Sequence, residues 1–455
     1  MGTLFSKHTK VSLPILLGLA LSLACSRLPL GGQPIPGPAT VAAGITQTFV
    51  AGQGQAVGAA TPTTAPDATQ PPAGAPTDSA ADGGARPRLA PGQPANIVRL
   101  NMLDAATGWA VGFVPNDPSE YVLRTTDGGQ TWVDVSPPVA PGTPWAATAF
   151  FLDANQAWVT LAHAEAPPLS GEPAVVWHTQ DAGQNWSPSQ PLNLSDAEYS
   201  APSHLLFVDN LRGWLLTHVG AGMNHDYVML FATGDGGQTW SRLADPLSTA
   251  PNGLPMSCGK TDLAFLDAQT GWVAGDCHGV APGVYFHRTA DGGLTWQPQV
   301  LPPPPGAANL FSLETVGCGT YSLTPLPPQT LKAAVHCQDF VSGEVTVWIY
   351  SSADAGQNWD ASPLPGRDLF FLDANTVWSA AEGDVNDPNA PRHLYRSDDG
   401  GQSWADITTV NWGPQLDFID ANTGWAVARA GEELALVHST DAGATWQLLN
   451  PTTGP

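Results

Sequence analysis

The sequence predicts an all-β chain built from seven copies of one four-stranded unit. Three observations carry this. An eight-residue pattern, Ser/Thr-x-Asp-Gly/Ala-Gly-x-Thr/Ser/Asn-Trp, occurs seven times, at residues 125–132, 179–186, 233–240, 289–296, 352–359, 397–404 and 439–446. Ahead of it runs a second repeat with the consensus Phe-Leu-Asp-Ala-Asn-Thr-Gly-Trp-Ala-Val, in which an apolar run, a polar turn and a Trp-led run read as a hairpin. Beyond the N-terminal segment no stretch keeps a 3.6-residue apolar period, so almost no helix is expected. The units recur every 42 to 63 residues, the range of a four-stranded blade.

The chain begins with a segment of another kind. Residues 1–24 read as a secretory signal: Lys7 and Lys10, an apolar run over 11–23, and small Ala24 before Cys25. The run is too short for a permanent membrane helix. Leu21-Ser22-Leu23-Ala24-Cys25 resembles a bacterial lipobox, with Ser22 where Leu is usual, and ordinary signal-peptidase cleavage fits the same bond. Cys25 is the odd one of five cysteines, which favours lipid attachment there. Residues 25–94 are rich in Pro, Ala, Thr and Gly and poor in large apolar side chains, so they are expected to form a disordered stalk. Fully extended, the stalk reaches on the order of 200 Å.

Residues 95–450 hold the repeats, and 451–455 read as a tail. In the eight-residue pattern Asp127, Asp181, Asp235, Asp291, Asp354, Asp399 and Asp441 are expected to accept amides of their own turn. The Gly two residues on supplies positive φ, and the Trp opens the return strand. The fifth copy of the hairpin repeat is worn, with Lys332 where the others carry Trp. Cys258 and Cys277 are 19 residues apart, as are Cys318 and Cys337, and each pair centres on the hairpin turn of its own unit. That register predicts the disulfides Cys258–Cys277 and Cys318–Cys337, in agreement with export. A four-cysteine metal site is the alternative, without any Cys-x-x-Cys spacing to support it.

The eight-residue pattern resembles the Asp-box (BNR) repeat. That resemblance implies a single seven-bladed β-propeller of four-stranded antiparallel blades, with the box between the third and fourth strands and the first strand innermost. Strand direction alternates, so hairpin turns and boxes share one face. The longest and most varied loops fall on the other face, the usual place for binding. Five residues before the hairpin-turn Asp, the units carry Arg99, Thr148, His204, Asp262, Ser322, Asp368 and Gln415, all polar. With the first strand innermost, this ring is expected at the mouth of a central channel, as a binding site or as a hydrated lining. His225, Asp226, Asp276 and His278 are metal-ligand types on adjacent loops and form a second, weaker candidate.

The formal charge of −24 argues against nucleic acid and anionic membranes as direct partners. Sialidases share the Asp box, and that family implies an Arg triad. Here Arg124, Arg288 and Arg396 precede a turn Asp by three residues, on the wrong face, and Arg99 alone occupies the inner ring. A glycoside hydrolase using paired carboxylates such as Asp262 and Asp368 stays open as an alternative. The alternation of Gly-Trp-Ala-Val and Asp-Gly-Gly-x-Thr-Trp over 95–450 resembles the photosystem II stability/assembly-factor propellers. It implies an exported, non-catalytic, monomeric scaffold without cofactor. The expected partner is a protein or glycan at the cell surface, with the membrane reached through the lipid anchor.

Overall fold

A computed structural model describes residues 85–141, 144–163, 174–223, 225–247, 253–277, 283–381 and 390–455, all within one compact unit, Gly37–Pro455. The signal segment, Cys25 and the stalk as far as residue 84 lie outside the described residues.

Antiparallel four-strand meanders follow one another along the chain. The first holds β1 (Asn96–Met102), β2 (Gly108–Phe113), β3 (Tyr121–Thr125) and β4 (Thr131–Asp134). The second holds β5 (Trp145–Phe151), β6 (Ala157–His163), β7 (Val176–Thr179) and β8 (Ser187–Pro188). The third holds β9 (Ala201–Phe207), β10 (Gly213–Gly222), β11 (His225–Thr233) and β12 (Ser241–Ala244). The fourth holds β13 (Gly259–Phe265), β14 (Gly271–Asp276), β15 (Tyr285–Thr289) and β16 (Gln297–Pro298). The fifth holds β17 (Val316–Leu326), β18 (Thr330–Asp339), β19 (Val345–Ser352) and β20 (Asp360–Pro363). The sixth holds β21 (Asp368–Phe371), β22 (Val377–Ala380), β23 (Arg392–Ser397) and β24 (Ala405–Val410). The last holds β25 (Gly413–Phe418), β26 (Gly424–Ala430), β27 (Glu433–Ser439) and β28 (Gln447–Leu449). A final short strand is β29 (Thr452–Thr453). A 3-10 turn at Leu310–Ser312 is the only helix among the described residues.

The first strands of successive units lie side by side: β5 on β9, β9 on β13, β13 on β17, and β21 on β25. β1 packs on β25, β26 and β27 of the last unit. The architecture is a β-propeller. β14 pairs with β17 across a unit boundary, Asp276 opposite Gly319, so the fourth and fifth units share one eight-stranded sheet.

The joint between units is built on the Trp that heads the second strand. Trp158, Trp214 and Trp378 stack on Phe207, Phe265 and Phe418 of the next unit, with ring centroids 3.8, 3.6 and 3.9 Å apart. On the other face the Trp meets its cross-strand partner three residues before the turn Asp. His178 stacks on Trp158 at 4.3 Å, His438 lies against Trp425 at 4.6 Å, and Arg124, Arg288 and Arg396 cap Trp109, Trp272 and Trp378. The indole N–H then crosses to the next unit: Trp158, Trp214, Trp378 and Trp425 donate to the carbonyls of Gly236, Gly292, Ala442 and Gly128 at 2.8–3.0 Å. In the worn unit Lys332 repeats this bond, its ammonium donating to Gly400 O at 2.9 Å and to Ser351 Oγ at 2.9 Å. Gly213, ahead of Trp214, leaves room for the Phe207 ring on which Trp158 stacks, since a Cβ there would sit 2.6 Å from that ring.

Ring closure uses both ends of the described chain. β29 pairs in parallel with β4, Thr452 opposite Thr131 and Thr453 opposite Trp132. On its other side the Thr453 amide donates to Gln93 O at 2.8 Å, and its hydroxyl donates to Ala90 O at 2.6 Å. Residues 451–454, read from the sequence as a tail, are thus held on both flanks. Residues 85–94, read as stalk, are likewise part of the fold: Arg88 pairs with Asp134, and the Leu89 amide donates to Asp134. Nearby, Asp417 of the last unit accepts the Met102 amide of the first at 2.5 Å, and its side chain is buried.

Two measurements test the joint and the seam. Trp425→Ala is expected to cost about 3–5 kcal/mol, whereas Trp425→Phe keeps the ring and loses one hydrogen bond, for about 1 kcal/mol. Equal losses in urea unfolding would refute the division between stacking and hydrogen bonding. Burial pushes the Asp417 carboxyl up to about 7, against the Met102 amide, which pulls it down. The folded state therefore holds this proton more tightly than the unfolded state. Stability from Asp417 is complete below about pH 4 and is lost as pH rises to about 7. Asp417→Asn should remove that loss, gaining on the order of 2–4 kcal/mol at pH 8 and nothing at pH 4.

Candidate functional site

The repeated turns come first, because they are the most conspicuous polar feature. In every copy the hydroxyl of the first residue donates to the Asp Oδ1 and accepts the amide of the second Gly. The Asp also accepts the amide and the side chain of the seventh residue, as at Thr131, Asn185 and Thr239. The second Gly takes φ between +79 and +98°, which favours glycine. The residue before it donates its amide to a carbonyl of the hairpin turn, as Gly128 does to Ala106 and Ala355 to Gln329, so turns and boxes share one face. These bonds hold the carboxyls below the ordinary range: the Asn185 amide is the main cause at Asp181, and the Asn358 amide brings Asp354 down to about 2. Such carboxylates are fully committed acceptors with no proton to exchange near neutrality.

The polar ring has the register expected of it. Arg99, Thr148, His204, Asp262, Ser322, Asp368 and Gln415 stand opposite Val111, Thr160, Leu216, Ala274, Ala334, Ala380 and Val427, equivalent positions of each second strand. None of the seven is buried. In β1, β5, β9 and β13 the ring residue is the middle one of seven, so there the ring lies at mid-depth and not at the mouth.

Four of the seven are preceded by a register shift that skips Val98, Ser203, Thr261 and Tyr321 in the strand register. Such a bulge re-aims side chains and bends the strand. With or without a bulge before them, ring residues turn sideways to the next unit. Arg99 donates to Ala147 O and pairs with Glu120 at 3.5 Å. Thr148 Oγ1 donates to Pro202 O at 3.0 Å. His204 Nε2 lies 3.3 Å from Asp262 Oδ1, with Ser203 Oγ 2.9 Å from its other nitrogen. Asp262 Oδ2 accepts the Leu323 amide at 2.7 Å, and Oδ1 accepts Leu263 at 2.8 Å. Thr261 Oγ1 donates to Thr320 O. Arg367 lies over the Tyr321 ring at 5.1 Å.

The second candidate is not assembled. Asp226 turns to His218 at 2.8 Å and to the Lys260 amide at 2.8 Å. Asp276 faces His336 at 3.9 Å, and His225 bonds Met223 O. His278 lies outside the described residues, and among the described residues no group of three His, Cys, Asp or Glu side chains is placed to hold a metal ion. Both expected disulfides are formed. Cys318 and Cys337 are direct cross-strand partners, and Cys258 and Cys277 flank the Gly259–Asp276 pair.

Sequence reasoning missed Lys260. Its ammonium is buried and donates to the carbonyls of Asp226, Ser257 and Cys258 at 2.9–3.1 Å. Burial pulls it down to about 8, and Asp226 opposes that shift. Nothing in the sequence marks this lysine as internal. The bulges were more accessible: Ser203-His204, Thr261-Asp262 and Tyr321-Ser322 each put two polar residues together and break the strand's alternation.

No protein-family model matches the sequence, and no curated protein matches it. Among solved structures, one described as YCF48 bound to D1 peptide is similar at 18% identity and a TM-score of 0.47, over 78% of this chain and 96% of that one. A puromycin-hydrolyzing peptidase of Mycobacterium tuberculosis is similar at 13% identity and a TM-score of 0.49, over 80% of this chain and 57% of that one. A polysaccharide lyase of family PL25, an ulvan lyase, is similar at 12% identity and a TM-score of 0.44, over 80% and 97% of the two chains.

The bonds that ring residues make between units are testable through Asp262. In Asp262→Asn the amide nitrogen must face one of two backbone N–H groups, so a loss of about 1–3 kcal/mol is expected. An unchanged denaturation midpoint would show that the carboxylate does not join the units.

Proposed function

We propose that this chain is an exported, seven-bladed propeller stapled by Asp boxes, and that it acts as a non-catalytic protein-binding or assembly scaffold. In this reading a lipid on Cys25 holds it at the outer face of the cell membrane, and the stalk sets the domain away from the bilayer. The repeat pattern, which resembles that of the photosystem II stability/assembly-factor propellers, supports a scaffold role.

One observation carries the preference for binding over catalysis: Asp262 and the arginines that precede the turn Asp residues are engaged elsewhere. Asp262 spends both oxygens on backbone amides and faces His204. Arg124, Arg288 and Arg396 lie on tryptophan rings instead of converging on a carboxylate site. A catalytic carboxylate needs an oxygen free to face the substrate, and both oxygens of Asp262 already accept amides. Two disulfides fit an oxidising compartment, and no helix among the described residues is long and apolar enough to cross a membrane.

The full-length protein is expected to leave sialosides, β-glucans and acidic polysaccharides uncleaved in end-point product analysis. Cleavage abolished by Asp262→Asn at a temperature where the variant stays folded would replace the scaffold with a glycosidase. Mass spectrometry of the mature N-terminus should find Cys25 acylated; a free thiol there would remove the anchor from the proposal.

A further inference from the structure

The fifth unit departs furthest from the repeat, and its departures converge on one place. β17, β18 and β19 run to 11, 10 and 8 residues. The β18–β19 hairpin ends in a built turn on the face opposite the boxes. Asp339 Oδ1 accepts the amides of Val341 and Ser342, the Asp339 amide donates to Glu344 O, and Gly343 takes φ 77°. The Cys318–Cys337 disulfide clamps the strands below, and the Phe340 amide donates to Thr315 O at 2.8 Å, tying the tip to the incoming segment.

This fixed tip is apolar. Val341 is 80% exposed, Phe340 50%, Val345 45% and Leu313, two residues from Thr315, 43%. Four of the ten large hydrophobic side chains exposed among the described residues therefore sit together, which scatter over a soluble surface does not produce. Glu314 and Glu344 flank them, both exposed. Between Arg288 and Arg367 the one Lys or Arg is Lys332, and it is buried.

We propose that this tip is a docking site for a protein partner that offers an apolar pocket rimmed by Lys or Arg; the proposal rests on the binding reading above. Charge selects the occupant. An anionic bilayer would be repelled by Glu314 and Glu344, and a second copy of a chain with net charge −24 would bring more acid to an acid rim. A basic rim gains from both glutamates, and the buried apolar tip supplies the affinity.

The test places p-benzoylphenylalanine at residue 341 of the full-length protein in the cells that make it. A control places it at residue 211, also exposed, in a hairpin turn on the box face. The expected result is a protein adduct at 341 that is absent at 211. Its cross-linked peptide should lie beside Lys or Arg, and its yield should fall about tenfold with Glu314→Lys and Glu344→Lys together at an unchanged melting temperature. Adducts with lipid, adducts with a second copy alone, a yield no higher than at 211, or a yield indifferent to both lysines would each overturn it. A partner retained equally by the parent and by Val341→Asp would overturn the tip and leave the scaffold standing. Absence of any adduct from either position, with no partner retained by the parent, would overturn both.

Discussion

One interaction sets the terms for the rest of the molecule: an indole that belongs to one unit and is completed by the next. Its faces are covered by a cross-strand Arg or His on one side and by the neighbour's Phe on the other, and its N–H ends on the neighbour's turn carbonyl. A four-stranded unit cannot cover such a ring alone, so it is stable only in company. The box turn is then more than a link between strands, because it presents the carbonyl that the preceding unit requires. The Asp and the leading hydroxyl hold that turn rigid from inside.

The fifth unit shows what the joint needs chemically. Lys332 has no aromatic ring, yet it reaches the same carbonyl, and its cross-strand neighbour is Ser351 where five of the other six units place Arg or His. A cation above a cation would be repelled; a hydroxyl accepts from the ammonium. The pair changes together because the two side chains share one space.

Much of this was legible because the repeat was. Asp127 and its six equivalents, the hairpin register and both disulfides follow from counting residues around a common turn. The register survived the worn turn at Pro327-Pro328, so Ser322 was placed correctly. The depth of the ring was not legible, since it depends on where each first strand begins and ends. The bulges at Ser203, Thr261 and Tyr321 are announced by polar doublets, but the one at Val98 is silent. Nor could the sequence show that the ring's polar groups answer one another across units. Lys260 lay beyond reach for a similar reason, because the three carbonyls that satisfy it belong to a loop conformation and not to a motif. The N-terminal border was misjudged since Arg86, Arg88 and Leu89 sit in a Pro-rich context that resembles the stalk before them.

The way the ring closes has a consequence for how the molecule comes into being. Thr453 bonds to Ala90, and Trp425 to Gly128, across separations of 363 and 297 residues. Contacts so distant along the chain pay their loop entropy late. During synthesis the early units emerge with one flank bare, the first of them waiting for a strand made some three hundred residues afterwards. The closing contacts act as a final latch, joining the residues made last to those made first.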